Sequence, residues 1–371
     1  MFGTRHYVPI LRWKQAEKLA LHRLLADDKE KMTPLIEITP APFLPKTNDK
    51  GTIEDASDSK PLLEADLTPD PGSVLRRQAT DVLRFWGNSL FFLDLGHLEG
   101  KVPLINGSTH ALTYFADLAR SYRMKPVPVT TLNRPATYIA AAASILKLDR
   151  NGLCIRVNIS ELADEMFARR LAKTIDEHGA NLPESDLLLD YGVFDAKAPG
   201  IADLLSKVPE LQKWRSVIVA RGAFPKDLQG LKPGTHKIAR SDWTDWVNGL
   251  RGSAHSRWPS YSDYTIQYGK YVEPCKGNNP SASIRYTLSE QWLIMRGEGI
   301  RNEGSPGAAQ WNANAILLAE KAEFYGSGFS AGDAYISEMS RDQKNHGNAR
   351  TWIQAGLNHH MSVVSRQIAA L

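Results

Sequence analysis

This sequence predicts an α/β fold: a (β/α)8 barrel of the TIM type with a smaller α+β C-terminal segment packed on it. Three observations predict it. Short β-type runs recur eight times within residues 1–271. Most are followed by a stretch with apolar residues at three- and four-residue spacing, as a helix covering a sheet requires. A glycine-rich first turn, the mark of an open dinucleotide-binding sheet, is missing: the first run ends in Leu11-Arg12-Trp13-Lys14. Closing eight such units into a barrel removes both exposed edges.

The strand runs are Tyr7–Leu11, Pro34–Ile38, Leu90–Leu95, Pro126–Thr131, Leu153–Ile159, Asp186–Tyr191, Ser216–Ala220 and Tyr264–Tyr268. Helical spacing covers Gln15–Leu25, Val74–Phe85, Ala111–Tyr122, Ala136–Leu146, Glu161–Glu177 and Ile201–Leu211. Ser160 suits the N-cap of the fifth of these, and Asn133-Arg134-Pro135 reads as a turn with proline at a helix start. Pro40–Asp70 is polar, aperiodic and long for a βα connection, which predicts a lid or inserted loop. His236–Leu250 strains the count of eight, with HKIAR as an extra strand and SDWTDWVNGL as a helix capped by Ser241 or Asp242.

After Tyr271 the alternation stops, which sets the division into 1–271 and 272–371. Ile284–Thr287 and Trp292–Met295 read as short strands forming a two-stranded hairpin at most, Ala308–Tyr325 as a helix, and Gly332-Asp333 as a turn. Thr351–Leu371 is an amphipathic helix whose stripe of Trp352, Ile353, Leu357, Met361, Val364 and Ile368 needs an apolar partner. The tryptophans Trp243, Trp246, Trp292, Trp311 and Trp352 would dock this segment, or alternatively stack on bases.

Composition narrows the classes. Forty-five Lys and Arg against 41 Asp and Glu leave a net charge of +4. That demands neither nucleic acid nor an anionic membrane. Two cysteines, Cys154 and Cys275, carry no metal-ligand spacing, which fits a reducing cytoplasm. No signal peptide or membrane span is expected. Phosphate-binding G-x-x-x-x-G-K-[ST], H-E-x-x-H and G-x-S-x-G patterns are missing, against kinase, zinc-protease and ordinary serine-hydrolase readings.

Several weak motifs follow one another in order: YVPILRWK at 7–14, TPLIEI at 33–38, LDL at 93–95, SDY at 262–264, IRYT at 284–287, Arg296-Gly297, GDAYI at 332–336, and Trp352 with Asn358-His359-His360. In this order the chain resembles the beta family proteins of bacteria and their phages over most of its length. The resemblance implies the barrel architecture and a role in phage–host conflict, and it assigns no reaction to particular residues.

In a barrel the strand ends and the loops after them form the active face. Glu37, Asp94 and Asp190 end strands and would present three carboxylates, the oxygen-rich set that a hard cation such as Mg²⁺ requires. Arg12, Lys14, Arg156 and Arg221 would supply donors for phosphate oxygens, with Asn158 beside them. The expected activity is metal-assisted hydrolysis of a phosphorylated or nucleotide-like substrate, with the three carboxylates as metal ligands or proton carriers. The structural alternative is a set of ion pairs plugging the barrel. His97 is a weaker acid-base candidate, and adjacent His359 and His360 point apart on a helix. A non-catalytic scaffold that binds a phage or host protein, with nucleic acid less favoured, is the competing function.

Overall fold

A computed structural model describes residues 3–44, 69–102, 104–252, 257–273, 279–342 and 344–371. Most of the expected Pro40–Asp70 lid, together with Cys275, lies outside the described residues.

Eight parallel strands close into a barrel in the order β1-β2-β3-β4-β5-β6-β7-β9. They are β1 (Tyr7–Leu11), β2 (Leu35–Glu37), β3 (Leu90–Asp94), β4 (Lys125–Thr130), β5 (Leu153–Asn158), β6 (Ser185–Val193), β7 (Ser216–Gly222) and β9 (Ser260–Asp263). Three further strands, β8 (Gly234–Ala239), β10 (Ile284–Thr287) and β11 (Gln291–Arg296), form an antiparallel sheet in the order β10-β11-β8. The helices are α1 (Gln15–His22), α2 (Ala26–Lys29), α3 (Pro71–Phe85), α4 (Ala111–Ser121), α5 (Ala136–Asp149), α6 (Ile159–Leu162), α7 (Phe167–Glu177) and α8 (Ile201–Lys207). Then follow α9 (Ser241–Gly252), α10 (Ala309–Ala319), α11 (Ala331–Arg341) and α12 (Ala349–Ala369). No helix among the described residues is long and apolar enough to cross a membrane.

The side-chain period of two splits each barrel strand between two cores. Val8, Ile10, Leu35, Phe92, Val127, Val129, Cys154, Leu188, Ile218 and Ala220 fill the interior. Their neighbours Leu11, Ile36, Leu93, Ile155, Val157, Leu189 and Val219 face the helices.

Four local expectations are corrected. The eighth barrel strand is Ser260–Asp263 and not Tyr264–Tyr268, because Thr265 takes a φ of 58° and turns the chain out of the sheet. Asn158, not Ser160, caps the helix after β5: its Oδ1 accepts the Glu161 amide while Glu161 accepts the Asn158 amide. Gly332-Asp333 is the first turn of α11, since the Ser330 hydroxyl accepts the Asp333 amide and starts a helix there. The C-terminal sheet has three strands, not two, because HKIAR supplies β8, whose residues from Gly234 to Ala239 pair with Arg296 to Gln291.

The helix α12 explains how the C-terminal segment is held. It packs on α1, β1 and β10, and so lies over the seam where β9 meets β1. The intervening β10, β11, α10 and α11 are thereby an insertion between the last barrel strand and the helix that covers it. Two adjacent histidines of α12 attach the helix on either side. His360 Nε2 lies 2.9 Å from Asp263 Oδ2, whose other oxygen accepts the Tyr7 hydroxyl at 2.6 Å. His359 faces the insertion instead, 2.8 Å from Asp333 and from the Thr287 carbonyl, stacked on Tyr286. Trp243, Trp246, Trp292, Trp311 and Trp352 are all buried, which leaves a packing role and not base stacking.

Since Leu357, Met361, Val364 and Ile368 of α12 join the main core, this helix is integral to the barrel. Each such side chain contributes roughly 1.5–3 kcal/mol when fully buried. Deleting residues 351–371 should therefore abolish cooperative folding of the whole chain, and Leu357→Ala should lower unfolding free energy by roughly 2–5 kcal/mol. Urea denaturation followed by tryptophan fluorescence checks both; a truncated chain with the parent's midpoint would contradict the integral role.

Candidate functional site at the barrel mouth

The interior set of side chains continues upward into polar residues at the C-terminal ends of the strands. Glu37 follows Leu35, Asp94 follows Phe92, Arg156 follows Cys154, Asp190 follows Leu188 and Arg12 follows Ile10, each two residues on and so on the same face. In register, Glu37 stands opposite Asp94 and Asn158 opposite Asp190. These residues line a cavity of about 690 Å³ at the mouth.

Arg156 is the centre of the arrangement. Its Nη1 donates to Glu37 Oε1 at 2.7 Å and to Asp94 Oδ2 at 3.0 Å, and its Nε donates to Asp190 Oδ2 at 2.9 Å. Nη2 reaches the Tyr264 hydroxyl at 3.0 Å, and that hydroxyl donates to Asp190 at 2.7 Å. Backbone amides finish the carboxylates: Gly96 donates to Asp94 and Gly192 to Asp190. The Arg134 guanidinium also holds Asp94, at 3.0 Å, lying across Gly96 where a Cβ would overlap it.

Glu37 keeps one oxygen, Oε2, turned away from Arg156. It lies 3.5 Å from His97 Nε2 and 3.7 Å from Arg12 Nε. Burial alone would raise this carboxyl, but attraction to Arg156 and the contact with His97 outweigh it and hold the group at about 2. Glu37 is therefore ionised at neutral pH. The ring of His97, about 30% exposed, stands over it at the cavity wall with Tyr271 beside it at 4.8 Å.

The sequence-derived residues divide accordingly. Glu37, Asp94, Asp190, Arg12, Arg156 and Asn158 line one cavity, although Asn158 uses its side-chain oxygen to cap α6. Lys14 is exposed at the rim, its Nζ 5.9 Å from the Tyr271 ring. Arg221 lies elsewhere. Ile218 and Ala220 hold the interior of β7, so Arg221 points outward, pairs with Asp245 and stacks on Tyr191 at 3.7 Å. Arg134, Tyr264, Lys270 and Tyr271 also line the cavity and were not singled out. Arg134 was findable as a charged residue in a βα loop; Tyr264 was hidden by the displaced eighth strand.

The donor set does not fit a divalent cation as arranged. Each expected carboxylate ligand is engaged by the Arg156 guanidinium, and a metal at that point would have to displace it. Among the described residues, no group of three or more His, Cys, Asp or Glu is placed to hold a metal ion.

Fold and site together define a TIM-barrel protein with an ion-paired polar pocket at the C-terminal mouth. The chain belongs to the Beta protein family, whose model matches residues 7–366. None of the curated proteins compared with it matches.

Because the folded Glu37 carboxyl lies below its ordinary value of 4.5, its pairing contributes stability present above that value and lost as pH falls toward about 2. Removing the central cation should invert this dependence. Arg156→Ala leaves three carboxylates facing one another with only Arg134 beside Asp94 and Arg12 near Glu37, at a cost of roughly 3–5 kcal/mol near neutral pH. Its deficit should shrink on acidification to about pH 5, as protonation relieves the repulsion. Urea unfolding of both proteins at the two pH values measures this; a pH-independent deficit would show that carboxylate repulsion is not its origin.

Proposed function

We propose that the barrel mouth binds a phosphorylated or nucleotide-like small molecule and hydrolyses it, with His97 as the proton-transfer group. The observation that carries this reading is the Glu37–His97 pair at the wall of an open cavity. An ionised Glu37 beside Nε2 favours the proton on that nitrogen, leaving Nδ1 as the lone pair available to a water molecule. The water's oxygen would bond to phosphorus, its proton would pass to His97, and the imidazolium would return a proton to the leaving oxygen. Arg134 engages Asp94 through one nitrogen, and both it and Lys270 face the cavity, where they suit phosphate oxygens. Magnesium assistance would require a carboxylate to leave Arg156.

A second reading, a non-catalytic binding protein in phage–host conflict, is supported by one feature. All three carboxylates at the pocket floor are locked in ion pairs, as in a structural plug.

A panel of nucleotides and sugar phosphates, followed by thermal shift and by product analysis with and without Mg²⁺, separates the readings. Under the first, Arg134→Ala weakens binding about tenfold, whereas His97→Ala keeps binding and lowers turnover by roughly 10²–10⁴. Binding without turnover favours the second reading, and no binding by any member defeats the first.

A further inference from the structure

The joint between the barrel and the C-terminal helices contains a second cavity, of about 360 Å³, unrelated to the mouth. Its walls come from the end of α1, the first turns of α11 and α12, and the helical face below them. Of the four buried amide side chains among the described residues, Gln78, Asn312 and Asn358 are hydrogen-bonded within the protein. Gln354 is only 8% exposed, and it lines this cavity. Its amide has no hydrogen-bond partner among the described residues, yet its polar atoms are not among the buried, sealed and unsatisfied ones. The amide therefore opens onto the cavity, and a polar group kept nine-tenths buried without a protein partner calls for a ligand or water that supplies one.

The surroundings select the ligand's charge. Arg23 and Arg350 line the same cavity, and neither makes an ion pair with a described residue. Arg350 stands in the first turn of α12, a 21-residue helix, where the macrodipole disfavours a cation and favours an anion. In the first turn of α11 the Gly332 and Asp333 amides are taken by Asn358 and Ser330, and the cavity-lining Ala331 amide is left. Glu338 is the one carboxylate among the lining residues. Two guanidinium groups, the Gln354 amide and the uncommitted Ala331 N–H around a space of this size match a tetrahedral oxyanion, whereas the first amides of α12 are already taken by Asn348.

We propose that this cavity is a phosphate-binding site, occupied by a phosphate group between Arg23, Arg350 and Gln354. Bound there, the anion ties α12 to α1 and α11 by charge-assisted hydrogen bonds and stabilises the closure of the helical ring. The inference is independent of what the barrel mouth does.

Inorganic phosphate is the probe, titrated into the full chain at constant ionic strength and followed by melting temperature and by calorimetry. Saturable binding with a rising melting temperature is expected. Arg23→Ala and Arg350→Ala, both at exposed positions, should each weaken it about tenfold. Gln354→Leu should fold normally, since replacing an unpartnered amide by an apolar group removes a desolvation cost, and should also lose phosphate. Arg134→Ala at the mouth should leave this response intact. A response that is unsaturable, that persists in all three variants, or that disappears with Arg134→Ala instead would overturn the proposal.

Discussion

One guanidinium sets the terms for the barrel mouth. Arg156 rises from the interior face of β5 and is shared by carboxylates from β2, β3 and β6. The charges can be buried together because each has a partner, and because the Tyr264 hydroxyl and two backbone amides satisfy the remaining oxygens of Asp94 and Asp190. The same lock fixes which carboxylate oxygens stay uncommitted. Asp94 and Asp190 are fully engaged, while Glu37 keeps one oxygen for Arg12 and His97. The edge of the pocket that holds an uncommitted carboxylate oxygen is therefore off the barrel axis, at the ends of β1 and β2 and the loop after β3.

A second constraint is topological. A strand of the barrel must have its outer face covered, and the helix that covers β9 and β1 arrives only at the end of the chain, after the inserted β10, β11, α10 and α11. The insertion is held by a strand from the loop after β7, so two loops on the mouth side build one small sheet. Two neighbouring histidines then divide the work of attachment. His360 binds the barrel through Asp263, and His359 binds the insertion through Asp333.

Much of the fold was legible because it rests on local periodicity. Alternation placed seven of the eight barrel strands, and three- and four-residue spacing placed most of the covering helices. The eighth strand was misplaced because β-rich composition at residues 264–268 says nothing of a left-handed Thr265, a backbone state that side-chain pattern does not encode. Gly332-Asp333 misled for a related reason, as glycine and aspartate serve both turns and helix first turns, and the cap that decides between them is Ser330.

For the pocket, the sequence by itself determined which polar residues end the interior rows, because parity within a strand is a local property: Glu37, Asp94, Arg156 and Asp190 all follow it. Only tertiary structure decided what those residues do to one another. Parity is relative to each strand's own phase, so Arg221 could be turned outward only by Ile218 and Ala220 taking the inside. The partnership of one arginine with three carboxylates depends on barrel closure, which brings together residues 34 to 119 positions apart. Coulomb attraction and desolvation act through space, and no spacing in the chain records them.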